Sequence, residues 1–208
     1  MIDVDSNIKE FWETKHKIGD VAALSGCFYD ETIDFLRLRD YISPGVSVLE
    51  VGVGLGYVTK GLFNAGVLVS ALDISDLSLE KVRGWCVSTF NISDLTTLPF
   101  NHFDAIICNN VVQHVPTDFL VKELEALFNS LKSTGVLALE FVSNDKFDDN
   151  GVSPSLSNIQ NGGLCRTPKF IGDIINMLGG ISTIVFDKKV DLGIVQGHHV
   201  VHITKQCL

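Results

Sequence analysis

Val48-Leu49-Glu50-Val51-Gly52-Val53-Gly54-Leu55-Gly56-Tyr57-Val58-Thr59 is the stretch that decides the fold. An apolar run suited to a buried strand enters three alternating glycines and leaves as a helix-forming segment. Without Cβ atoms, such a loop can press backbone N–H groups against a ligand. The dinucleotide fingerprint GxGxxG needs its third glycine where this chain has Tyr57, and the spacing here is GxGxG. Glu50, two residues before the first glycine, would oppose a pyrophosphate. An acid there suits a ligand with a cationic ammonium group.

Outward from this loop, strand and helix patterns alternate. Strands are expected at Val46–Val51, Val67–Leu72, Val87–Phe90, Phe103–Cys108, Gly135–Phe141, Ser182–Phe186 and His199–Ile203. Helices are expected at Tyr57–Asn64, Leu77–Trp85, Asp118–Leu131 and Pro168–Leu178. Thr117 and Thr167 are the expected caps of the last two, and Gly179-Gly180 is the stop of the last. Apolar strands joined by helical segments of this length form βαβ units, hence an α/β, Rossmann-like, doubly wound sheet. Seven strands, mostly parallel, with helices on both faces are expected. Residues 1–43 read as an N-terminal helical cap. Residues 144–166, rich in Asp, Asn, Ser and Gly, read as a lid loop, and the 208 residues as one domain.

Ligands of such sheets bind beyond the carboxyl ends of the strands. Asp73 stands at the tip of the second strand, where an acid accepts both hydroxyls of a ribose. After the third strand, Asp94 suits an exocyclic adenine amine and the Leu95 N–H a ring nitrogen. After the fourth come Asn109-Asn110-Val111-Val112-Gln113-His114.

With these residues in order, the sequence resembles the class I S-adenosylmethionine-dependent methyltransferases, in their small-molecule branch, over about residues 46–141. The resemblance implies S-adenosylmethionine as cofactor and S-adenosylhomocysteine as product. It implies that Glu50, Gly52, Gly54 and Gly56 cradle the methionine end, with Val53 beside them. Asp73, with Ile74 next to it, holds the ribose; Asp94 and Leu95 hold the adenine; Asn109 faces the sulfonium. Lys132-Ser133-Thr134-Gly135 replaces the family's Lys-Pro-Gly-Gly turn, away from the site.

The acceptor side is less defined. His114 follows the fourth strand, either as a general base or as a residue that shapes the pocket. Trp12, His16, Tyr29 and Arg166 are the candidate substrate residues, His16 and Arg166 for anionic groups. On a strand, His198 and His202 share a face while His199 points away, so no three-histidine metal site forms and no metal is expected. No proline precedes Cys108, and strand four lacks an Asp/Asn-Pro-Pro-aromatic motif, which speaks against nucleic-acid bases as acceptors. So does the net charge of −9.

The chain is 46% hydrophobic and 20% charged, too apolar for disorder, and no apolar run is long enough for a membrane span. The first residues lack a basic region followed by an apolar run, and five cysteines without a CxxC pair suggest a reducing, cytoplasmic setting. The expected activity is in-line methyl transfer to an oxygen or nitrogen of a small molecule, without nucleic-acid or membrane partners. The oligomeric state is open. The alternatives are a non-catalytic methyltransferase-like binding subunit and an NAD(P)-binding oxidoreductase.

Overall fold

The apolar runs assemble into one seven-stranded sheet in the order β3-β2-β1-β4-β5-β7-β6. The strands are β1 Ser47–Val51, β2 Leu68–Asp73, β3 Ser88–Asn91, β4 Phe103–Asn109, β5 Leu131–Asn144, β6 Gly180–Asp191 and β7 Val195–Lys205. The computed structural model describes residues 6–19, 29–144, 168–191 and 195–206. β1 to β5 pair in parallel, whereas β7 is antiparallel to both β5 and β6. This antiparallel insertion departs from the 3-2-1-4-5-6 order of dinucleotide-binding sheets.

Register assigns the faces. Val48, Val69, Ala105 and Ala138 share one face, covered by Ile33 of α2 (Tyr29–Phe35), Leu36 directly after it and Leu62 of α3 (Tyr57–Asn64). Leu49, Leu72, Ile106 and Leu137 line the other. They meet Leu120, Leu124 and Leu127 of α5 (Thr117–Ser130) and Ile171, Ile174 and Ile175 of α6 (Pro168–Met177). Each such fully buried aliphatic side chain contributes about 1.5–3 kcal/mol. α4 (Asp76–Val82) lays Leu79 and Val82 on Ala71, and α1 (Ser6–Ile18) rests against α4. Because both faces are covered, the strands carry nearly continuous apolar runs, and polar residues collect at their carboxyl ends.

Several boundaries differ from expectation. β5, β6 and β7 are longer than their apolar cores, because backbone pairing in the antiparallel region continues into polar sequence. Leu77–Trp85 divides into α4 and a 3-10 turn, Arg83–Trp85. Thr117 is not the cap of α5: Pro116 occupies the N-cap with no side-chain cap bond, its ring-fixed φ of −54° turning the chain into the helix. Gly179, at φ 76°, ends α6 as expected. Of the expected lid, 144–166, Asn144 is instead the last residue of β5, and residues 145–166, with Thr167, lie outside the described residues.

Candidate cofactor and acceptor site

The glycine loop joins β1 to α3 by left-handed backbone at Gly52 (φ 72°), Gly54 (φ 52°) and Gly56 (φ 83°). Two of these glycines are required by protein packing as well. A Cβ at Gly52 would lie 2.4 Å from Val111 Cγ2, and one at Gly56 would lie 2.6 Å from Val82 Cγ1. The loop is anchored where the Gly52 N–H donates to the Leu72 carbonyl (2.8 Å) and the Gly56 N–H to the Val53 carbonyl (2.8 Å).

Two carboxyl groups flank this loop on one face of the sheet. Glu50 pairs in register with Ala71, and Asp73 lies two residues farther along β2. Glu50 is 5% exposed, and one carboxyl oxygen accepts the Thr59 hydroxyl of α3 at 2.6 Å. Burial pushes its pKa up to about 8; the Thr59 bond opposes the shift and the nearby Asp73 charge adds to it. Asp73 is also buried and accepts the Ser75 N–H at 2.8 Å. Burial raises its pKa to about 6, against the N–H groups of Ser75, Gly54, Val53 and Ile74, which favour the charged form. These shifts leave Glu50 largely protonated and Asp73 largely ionised at neutral pH.

Asp94, expected to border an adenine, is exposed and interrupts a 3-10 segment, Ile92–Thr97, with φ −134° and ψ 73°. Its carboxylate takes the Thr96 hydroxyl, and its carbonyl takes that of Thr97 at 2.7 Å. Leu95 is buried in the core, with Ile74 packed against the same cluster. Asn91, which sequence reasoning did not single out, donates to Asp76 at 2.7 Å and accepts the Ser93 N–H at 3.0 Å. It ties the end of β3 to the start of α4.

At the end of β4, Asn109 is half-buried and its Oδ1 has no hydrogen-bond partner among the described residues. Asn110 adopts the left-handed conformation (φ 60°), and its side-chain oxygen accepts from Gln113. His114 follows on the turn. Burial pushes its pKa down to about 4, its Nδ1 is unpartnered, and its ring meets that of Trp12 edge-on at 5.1 Å. The imidazole is therefore neutral at pH 7.

α1 holds Trp12 there by docking on the first turn of α4. Lys9 pairs with Asp76 (2.7 Å), Glu13 accepts the Asp76 N–H (2.8 Å), and His16 Nε2 lies 2.5 Å from the Ser78 hydroxyl. His16 is thus engaged with α4, unlike the expectation that it reaches an anionic ligand group. Tyr29 does not join the Trp12–His114 pair either: it packs on Gly61 of α3, where any Cβ would collide with its side chain. Arg166 lies outside the described residues.

Two buried carboxyls escaped the sequence reading. Glu140 on β5 is the register partner of Asn109, is 4% exposed, and has one oxygen 3.4 Å from His198 Nδ1 and the other without a partner among the described residues. Glu123 on α5 is fully buried, with neither oxygen bonded among the described residues, and burial raises its pKa to about 8. Both sit among hydrophobic neighbours, Leu139 and Phe141 for the first and Leu120 and Leu124 for the second. An acid inside an apolar stripe is the signal that could have found them. His198 and His202 share a sheet face, as strand alternation requires, and His202 Nε2 bonds the Leu36 carbonyl at 2.7 Å. Among the described residues, no group of three or more His, Cys, Asp or Glu is placed to hold a metal ion, and no helix is long and apolar enough to cross a membrane.

Residues 48–135 match the family model described as "Methyltransferase domain". The ubiquinone biosynthesis O-methyltransferase of Xanthomonas campestris is 26% identical over 115 residues, 51% of this chain and 47% of the relative. Phosphoethanolamine N-methyltransferase 2 of Caenorhabditis elegans is 27% identical over 116 residues, 51% of this chain and 26% of the relative. The chain therefore spans half or less of the length of these curated relatives. Among solved structures, the DhpI–SAH complex superposes with a TM-score of 0.63 at 19% identity, covering 97% of both chains. With its GxGxG loop, the acids at the tips of β1 and β2 and the antiparallel β7, the chain is similar to methyltransferase domains over residues 48–135 and has the Rossmann-like fold found in class I S-adenosylmethionine-dependent methyltransferases.

Proposed function

We propose that this protein transfers the methyl group of S-adenosylmethionine to an oxygen or nitrogen atom of a small molecule. The observation that carries this reading is the pair of buried carboxyls, Glu50 and Asp73, on one face beside the left-handed glycine loop. The ionised Asp73 would repel a pyrophosphate, whereas a ribose diol is matched by Asp73 and an ammonium group by Glu50. Glu50 would take the ammonium, whose charge draws the carboxyl into its ionised form. Asp73, already held by backbone N–H groups, would accept the ribose hydroxyls. Asp94 and Leu95 would border the adenine, and the unpartnered Asn109 Oδ1 would face the sulfonium.

When bound, the cofactor supplies a methyl already made electrophilic by its sulfonium. The chain's own contribution is to align the acceptor with that methyl and to keep water out. Trp12 stacked edge-on against a neutral His114 forms a wall for this purpose, and α1 clamped to α4 holds the wall in place. With its pKa near 4, His114 fits shaping the pocket better than accepting a proton at neutral pH. The O- and N-methyltransferases among the relatives support either acceptor atom. A nicotinamide-dependent reaction is disfavoured by Glu50, by Tyr57 and by the inserted antiparallel β7.

The test is incubation with methyl-labelled S-adenosylmethionine and fractionated small-molecule extracts. Label appearing in a small product together with S-adenosylhomocysteine is the expected result. Cofactor binding with no transfer to any fraction would favour a non-catalytic binding subunit.

A further inference from the structure

At the carboxyl edge of the sheet, β4 and β5 present Asn109 and Glu140 side by side. They are register partners in a parallel pair, so their side chains leave the same face on strands about 4.8 Å apart. Glu140 has Ala138, Leu139 and Phe141 as chain neighbours, all fully buried, a setting that suits an aliphatic residue. Its carboxyl is instead buried with one oxygen at 3.4 Å from the half-exposed His198 and the other unpartnered. Burial pushes its pKa up, and the His198 ring and the Asn110 N–H oppose that shift by favouring the charged form. The Asn109 Oδ1 beside it is also buried without a donor. Two neighbouring oxygen acceptors, each buried and without a hydrogen-bond donor among the described residues, carry a desolvation cost that the N–H or O–H groups of a ligand would offset. A carboxylate beside a carbonyl oxygen discriminates among such ligands, because it attracts a cationic amine and repels a carboxylate or phosphate.

We infer that Glu140, backed by His198, is the specificity residue of the acceptor pocket and holds an amino group of the methyl acceptor. The acceptor class is therefore an amine-bearing small molecule. Glu140 takes the amine N–H on its open oxygen, Asn109 lies alongside, and His198 on β7 fixes the carboxyl from the other side. This inference rests on the methyltransferase reading and narrows it.

The experiment uses matched trios on common scaffolds, such as phenethylamine, 2-phenylethanol and phenylacetic acid, with aliphatic counterparts. Binding of each member to the protein–S-adenosylhomocysteine complex is measured by calorimetry, and methyl transfer is measured with labelled cofactor. The expected result is that the amine members bind at least tenfold more tightly than their hydroxyl and carboxylate partners. Glu140→Gln should remove that preference while changing S-adenosylhomocysteine affinity less than threefold. His198→Gln, at a half-exposed position, should weaken the preference without affecting the cofactor. Tight S-adenosylhomocysteine binding with no amine preference, or a preference untouched by Glu140→Gln, overturns this inference alone. Failure of the intact protein to bind S-adenosylhomocysteine overturns the reading beneath it.

Discussion

Glu123→Gln should make the protein more stable at neutral pH and should flatten its stability against pH. Glu123 is fully buried on α5, its two oxygens have no hydrogen-bond partner among the described residues, and burial alone raises its pKa to about 8. In the unfolded chain the same carboxyl titrates near its ordinary value of about 4.3. Below that pH both states are protonated and the group costs nothing by titration. Between the two values only the unfolded state releases its proton, so stability falls by about 1.4 kcal/mol per pH unit and levels off above pH 8. The loss at pH 7 is on the order of 3–4 kcal/mol, a large share of the ~5–15 kcal/mol available to a domain. Glutamine keeps the shape and removes the titration. Urea unfolding of both proteins at pH 5, 6, 7 and 8 should give a stability difference that grows by about 2–3 kcal/mol from pH 5 to pH 7. Glu50, Asp73 and Glu140, which also have raised values, are present in both proteins and cancel in that difference. Parallel stability curves for the two proteins would refute the assignment of Glu123 as a buried, unpaired acid.

Cofactor affinity should itself depend on pH. If Glu50 is protonated in the free site and ionises against the ligand ammonium, S-adenosylhomocysteine binding strengthens up to about tenfold per pH unit below 8. Calorimetry in buffers of different ionisation enthalpy at pH 7 should then find close to one proton released, and Glu50→Gln should abolish the release. Asp73→Asn should weaken S-adenosylhomocysteine binding roughly 10- to 100-fold, the worth of one charge-assisted hydrogen bond of about 1.5–3 kcal/mol. An unchanged affinity would remove Asp73 from the ribose. Gly52→Ala should destabilise by about 2–5 kcal/mol, combining left-handed strain with the collision on Val111. Adding Val111→Ala should recover only the collision part; full recovery in urea unfolding would show that the backbone at residue 52 carries no strain.

The fold was legible wherever a strand was apolar throughout and punctuated by glycine. β1, its loop and α3 lie where the sequence places them, because burial on both faces and the glycine spacing are local properties. The carboxyl tips of β1 and β2 followed from counting to the end of each apolar run. The antiparallel end of the sheet was read too short, since pairing of β6 with β7 continues through Asp187-Lys188-Lys189, which carry no apolar signal. The docking of α1 was invisible for another reason: Lys9, Glu13 and His16 find partners more than 60 residues away, and no local pattern encodes that. His16, expected near a ligand, contacts Ser78 of α4, and Tyr29, also expected there, packs on Gly61 of α3. Glu123 and Glu140 were legible in principle. Glu123 falls three residues after Leu120 and four before Leu127, inside the stripe that faces the sheet, and Glu140 interrupts a buried strand.

The central claim is that the glycine loop with Glu50 and Asp73 is built for S-adenosylmethionine. It is tested most directly by a thermal-shift titration of the protein with S-adenosylmethionine, S-adenosylhomocysteine and NAD in parallel. At a hundredfold excess over Kd, binding adds about 2.7 kcal/mol, enough for a clear rise in Tm. The account predicts a rise with the first two and none with NAD. A rise with NAD alone, or with none of the three, would contradict it.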